Sequence, residues 1–199
     1  LQARSRLYGL EQTIQQQAAG VDGESALVTS LSSALSDDWF MFGGYRNRRG
    51  EADVVLVGPP GVWVIEVKNR NARLTVDGDR WSYQKLDKWG NVVKTGSATD
   101  NKGRTWGRQA GDVADALVWW LEHNEQRIPV RTAVMLMHHR ASLGRIQNPG
   151  VDLVSTDAPD LIRTLAAAPP AVSSEARTAI VNLIRRDHRH HNERRRGRG

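Results

Sequence analysis

Apolar residues recur along this chain at two spacings, one helical and one extended. In "DGESALVTSLSSAL", Leu27, Val28, Leu31, Ala34 and Leu35 fall three and four residues apart, which predicts a helix with one face inward. Asp22 is placed to cap it, and counting back one turn puts Glu24 on the inward face. Ala110, Val113, Ala114, Leu117, Val118 and Leu121 predict a second amphipathic helix from about Thr105 to His123. "APDLIRTLAAA" and "SEARTAIVNLIRR" predict two terminal helices parted by Pro169 and Pro170, and the Gln-rich "SRLYGLEQTIQQQAA" predicts a polar N-terminal one.

Between these lie extended segments. "DWFMFGGY" predicts a strand leading into the loop "RNRRG". "EADVVLV", a "GPPG" turn and "VWVIEVK" are so continuously apolar that they predict strands covered on both faces. "RLTVDGDRWSY" predicts a further hairpin with Asp77-Gly78 at its turn, and the polar residues 84 to 105 a short strand pair with a surface loop. "RTAVMLMHH" and "VDLVS" complete the pattern. The fold class is therefore α/β, helices packed around one mixed sheet.

Composition adds bounds. With 199 residues, 39% hydrophobic and 25% charged, the chain suits one globular domain. No apolar run reaches the roughly 20 residues that cross a bilayer. The lack of cysteine excludes disulfides and thiolate metal sites and fits the reducing cytoplasm. Net charge is +6, but Arg185 to Gly199 carries +5 of it, leaving +1 for the rest. The expected organisation is an N-terminal helical extension over 1–19, a domain over 20–185 and a basic, disordered tail over 186–199. The tail's His188, His190 and His191 are expected to be solvated with it.

Charge inside the apolar hairpin raises the chemical question. If Val57 lies opposite Val62, Asp53 falls directly across from Glu66, while Glu66 and Lys68, two apart, share one face. The three are either edge charges on an ordinary hairpin or a site on a rigid sheet. Two carboxylates about 4 Å apart repel by roughly 4 kcal/mol at an effective dielectric of 20. A divalent cation offsets that repulsion, and oxygen ligation suits Mg²⁺ or Mn²⁺. Lys68 then serves to orient water or to neutralise charge on a phosphorane-like transition state. Arg46, Arg48 and Arg49, just before the acid-bearing strand, are placed to touch a nucleic-acid backbone.

Asp53, twelve residues, then Glu66-Val67-Lys68 resembles the PD-(D/E)xK nuclease core of the restriction-endonuclease-like fold. Gly23-Glu24 opening a helix, Glu51-Ala52-Asp53, "GPPGVWVIEVKN", a hairpin with Trp81 and Gln109 opening a helix narrow the resemblance to the nuclease-related domain, NERD, over roughly residues 20 to 185. The resemblance implies Asp53, Glu66 and the Val67 carbonyl as metal ligands, with Glu24 as an additional acid. It also implies Lys68 as the catalytic lysine and Gln109 as a partner at the scissile strand. Arg70 stands where the family often has an aromatic, and joins Lys68 and the three arginines as an expected nucleic-acid contact. The implied substrate is DNA, with RNA the alternative.

Other uses of these features compete. A domain of this fold can bind nucleic acid without cutting it. Trp119 and Trp120, adjacent on a helix, cannot both face one core, so they suggest a protein contact or a homodimer surface. Trp63 and Trp81 are expected in the core. His138 and His139 end a strand, where neighbours face opposite ways, so no shared site is expected of them.

Overall fold

The computed structural model describes residues 21–196, and the expected N-terminal extension lies outside them. In chain order the elements are α1 (Val21–Ala34), β1 (Phe40–Arg46), β2 (Glu51–Gly58), β3 (Gly61–Lys68), β4 (Arg73–Asp77), β5 (Arg80–Leu86), β6 (Val92–Ser97), α2 (Trp106–His123), β7 (Val130–Leu136), β8 (Ser142–Gln147), β9 (Leu153–Ser155), α3 (Ala158–Ala167) and α4 (Ser174–Arg196). Among the described residues, no helix is long and apolar enough to cross a membrane.

A mixed five-stranded sheet, ordered β1-β2-β3-β7-β9, forms the centre. β1, β2 and β3 run antiparallel, whereas β3, β7 and β9 run parallel. Both faces are covered, which explains the continuous apolar character of β2 and β3. On one face Val55, Val57, Val62 and Val64 pack with Val113, Leu117 and Leu121 of α2 and Ile180 and Ile184 of α4. On the other, Val54, Leu56, Trp63 and Ile65 pack with Leu27 and Leu31 of α1 and Leu161 and Leu165 of α3. This is the α/β architecture of a restriction-endonuclease-like domain.

The expectation of one sheet requires correction. A second, four-stranded sheet in the order β6-β5-β4-β8 packs Leu74, Val76 and Trp81 against Val134 and Leu136 of β7 and Trp106 of α2. Its strand β8 was not foreseen: "SLGRIQ" has neither alternation nor a β-branched run, and it is held by parallel pairing to the distant β4. The turn between β4 and β5 is Gly78-Asp79, one residue later than expected, with Asp77 paired to Arg80. Asp22 is a helical residue of α1 rather than its cap.

The disordered basic tail is likewise corrected, because α4 continues to Arg196. Asp187 and His188 are buried and His191 is half-buried, whereas His190 is exposed as expected. Tyr45 Oη donates to Asp187 Oδ2 at 2.5 Å, and the Arg46 N–H donates to His188 Nδ1 at 3.0 Å. A fully buried tyrosine hydroxyl needs a partner, and the second half of α4 supplies it. Burial pushes the His188 pKa down, with Arg46 adding to the effect.

Trp63 and Trp81 lie in the core as expected, and Trp106 joins them. Trp120 donates its Nε1–H to the Leu183 carbonyl at 3.1 Å, leaving Trp119 as the exposed member of the pair. His138 and His139 lie beyond the end of β7, and their rings stack with centroids 4.5 Å apart. The strand-alternation expectation therefore does not apply to them. No set of three His, Cys, Asp or Glu side chains that could hold a metal ion is found among the described residues.

Candidate active site

The β2–β3 hairpin has the expected register, with Val57 opposite Val62 and Val54 opposite Ile65. Pairing then stops one step short of Asp53 and Glu66. Past that point the Val67 N–H donates to Asp53 Oδ2 at 2.6 Å, so a side chain takes the place of the strand's backbone. The alternation of β2 also breaks here. Ala52 packs in the same cluster as Val55, although Val54 between them faces the opposite side. The partner strand carries Gly44 with φ 63 at the matching position, between the pairs Gly43–Val54 and Tyr45–Ala52. Asp53, opposite Gly44, is thus tied to β3 through the Val67 N–H, and the two acids stay together at the open end of the hairpin.

Glu66 is 4% exposed and ion-pairs through Oε1 with Lys68 Nζ. Glu66 and Lys68 lie on the face of β3 that carries α2, as the pairing of Glu66 with Val134 requires. From the first turns of α2, Gln109 accepts a hydrogen bond from Lys68 Nζ through Oε1 at 3.4 Å. Two features hold that end of α2 in place. Thr105 caps it, accepting from the Arg108 N–H at 3.1 Å. Gly107 lies flat on Trp81, where a Cβ would come within 2.5 Å of the indole.

Glu24 enters from the other face. Gly23 brings α1 so close to the segment after β3 that a Cβ would sit 2.9 Å from Asn69 Cβ and 3.3 Å from Met137 Cβ. Gly23→Ala is therefore expected to destabilise the fold by about 1–3 kcal/mol, despite alanine's better helix propensity. Urea unfolding checks this; an unchanged midpoint would mean that α1 has slack here.

Electrostatics tie the acids into one group. Burial raises the Glu66 pKa to about 7, the Asp53 charge pushes the same way, and Lys68 and Arg104 oppose it. Burial also raises Asp53, against the Val67 N–H and Lys68. Glu24 is raised by burial and then by Asp53, with Lys68 opposing. Arg104 is the participant that the sequence did not reveal. It is held by Asp100 and Asp112, with Nη2 2.9 Å from Asp100 Oδ2 and Nη1 3.5 Å from Asp112 Oδ2. The available signal was "DNKGR": Asp100 Oδ1 accepts the Lys102 and Arg104 N–H groups in a tight turn.

The expected backbone-contacting arginines divide. Arg46 ion-pairs with Glu51. The Arg49 carbonyl lies 3.5 Å from Arg104 Nη1, which brings its turn next to that arginine. Arg70 holds its guanidinium 5.7 Å from the Trp106 ring. Arg48 instead extends toward the later half of α2, 4.3 Å from the Trp119 ring centre.

The donor set suits a hard cation. Half-buried Asp53 and buried Glu66 are each pushed toward the protonated state, and a divalent ion would relieve that deficit of positive charge better than Lys68 alone. A family model described as the nuclease-related domain matches residues 19–137. No curated protein and no solved structure matches the chain.

Proposed function

Because the chain belongs to the nuclease-related domain family, we propose that it is a divalent-metal-dependent nuclease that hydrolyses phosphodiester bonds of DNA in the cytoplasm. One observation carries the reading: at the open end of a single hairpin, Asp53, Glu66 and Lys68 adjoin, and Glu24 and Gln109 reach them from helices on opposite faces. Asp53, Glu66 and the Val67 carbonyl would hold Mg²⁺ or Mn²⁺, with Glu24 as an outer acid. The ion supplies charge neutralisation at the reacting phosphate.

The chain's own groups do the rest. Lys68 Nζ, between Glu66 and Gln109, donates a hydrogen bond to the attacking water or to a non-bridging phosphate oxygen as its charge grows. Water forms the new P–O bond and releases a proton to solvent, the bridging P–O bond breaks, and the leaving oxygen is protonated from solvent. Gln109 fixes the lysine, Arg104 tempers the acid cluster, and Arg49 and Arg70 flank it as phosphate contacts.

The reading is tested by incubating the purified chain with circular and linear DNA in Mg²⁺ or Mn²⁺. Cleavage is expected, with complete loss on chelation and restoration by added metal. DNA binding without cleavage in any metal would leave a silent binding module of this fold. Cleavage of RNA alone would reassign the substrate.

A further inference from the structure

A pocket of about 380 Å³ lies outside the acid cluster, between the β1–β2 turn, the later half of α2 and residues 186–191 of α4. That volume is within the range of small-molecule sites. Trp119 and Trp120 form its aromatic wall, and Arg48, Arg186, His190 and His191 bring positive or chargeable groups to it. Trp119 remains 49% exposed although the His123 ring stacks on it with centroids 5.2 Å apart. Arg48 lies over the Trp119 ring at 4.3 Å and Arg186 over Trp120 at 5.0 Å.

The one acid in the lining, Asp187, is already engaged by the Tyr45 hydroxyl and by His191 Nε2, the latter at 3.4 Å. The remaining balance is cationic around flat aromatic surface, which fits a planar base bearing a phosphate. An exposed arginine–aromatic contact is weak, about 0.5–1 kcal/mol, so Arg48 can yield the ring to a base and turn to its phosphate.

We propose that this pocket holds one nucleotide, its base against Trp119 and its phosphate between Arg48, Arg186 and His190. The nucleotide can belong to a nucleic-acid strand or be free in solution. Trp119 is ten residues beyond Gln109 on α2, about 15 Å at 1.5 Å per residue, or roughly four nucleotides of a stacked strand. As a grip on the strand being cut, the pocket rests on the nuclease reading; as a nucleotide site it stands on its own geometry.

The test is equilibrium binding in chelator, so that no cleavage intervenes. The probes are a fluorescent single-stranded oligodeoxyadenylate eight-mer, AMP, inorganic phosphate and an acidic hexapeptide. Trp119→Ala is expected to weaken the eight-mer about tenfold, with Trp119→Phe within about threefold of the parent because stacking survives. Arg186→Ser, at an exposed α4 position, is expected to weaken it severalfold and to reduce its salt dependence. Loss of AMP binding in Trp119→Ala adds the free nucleotide as a source, whereas binding of the eight-mer alone assigns the pocket to a strand. Unchanged eight-mer and AMP binding in Trp119→Ala, no binding by the parent chain, or tighter binding of the hexapeptide overturns the proposal. If DNA is still cut with metal in any of those cases, the nuclease reading survives; if the pocket binds but DNA is never cut, only the pocket does.

Discussion

Lys68→Ala is expected to lower DNA cleavage by two to three orders of magnitude while DNA binding, measured in chelator, stays within about threefold. A single donor aimed at a developing oxyanion is commonly worth that much. Lys68 has a second effect through its neighbour. Its charge opposes the rise in the Glu66 pKa, so its removal drives that carboxyl further toward the neutral form. Residual cleavage by the variant should therefore climb with pH over a range where the parent has levelled off. Lys68→Arg keeps the charge but replaces a compact ammonium with a planar fork, and should recover the Glu66 ionisation better than the rate. Near-parental cleavage by Lys68→Ala, with an unchanged pH profile, would remove the lysine from the chemistry.

The central layer was legible because its burial is written in its residues. β2 and β3 are apolar on both faces, "GPPG" marks their turn, and α2 carries an unbroken helical stripe from a threonine cap. Of the second sheet, the β4–β5 hairpin and the short strand after it were legible, but not that they form a separate sheet with β8. β8 exists through pairing with β4 across some seventy residues, which no local pattern encodes. The end of α4 was misread for a related reason. "RRDHRHHNERRR" looks like a solvated charge run, but the decisive contact is long-range: Asp187 answers the buried hydroxyl of Tyr45. A polar residue's burial depends on its partner, and the partner lies 142 positions away.

The acid site was legible to the extent that it is local. Glu66 and Lys68 follow from a period of two, and Gly23-Glu24 works through the close approach that only glycine allows at Asn69. The bond from the Val67 N–H to Asp53 was not legible, since a side chain there takes the place of a backbone partner. Arg104 escaped because its placement depends on a turn built by Asp100 and on an ion pair to Asp112 in the following helix. The family match extends to residue 137, so the α4 surface beside Trp119 lies beyond what it covers.

Glu66→Gln is expected to abolish cleavage and yet stabilise the metal-free protein at pH 8, with a melting temperature several degrees above the parent's. The folded protein retains the Glu66 proton up to about pH 7, whereas an unfolded chain releases it near 4.3. Between those values the folded state binds more protons, so stability falls as pH rises through the interval. Below it the carboxyl is neutral in both states and no difference remains. The full loss is on the order of 4 kcal/mol, and each kcal/mol moves the midpoint by about 2–4 °C in a chain of this size. Glutamine keeps the shape of the neutral acid and has no charge to bury, so the variant escapes the decline. Comparing the two proteins at each pH cancels the remaining groups, including His188, whose depressed pKa acts in the opposite sense. Mg²⁺ at pH 8 should raise the parent's midpoint and leave the variant's nearly unmoved, because ligand binding to the folded state stabilises it by mass action. A variant less stable than its parent at pH 8 would show that the Lys68 ion pair outweighs the burial of the Glu66 charge.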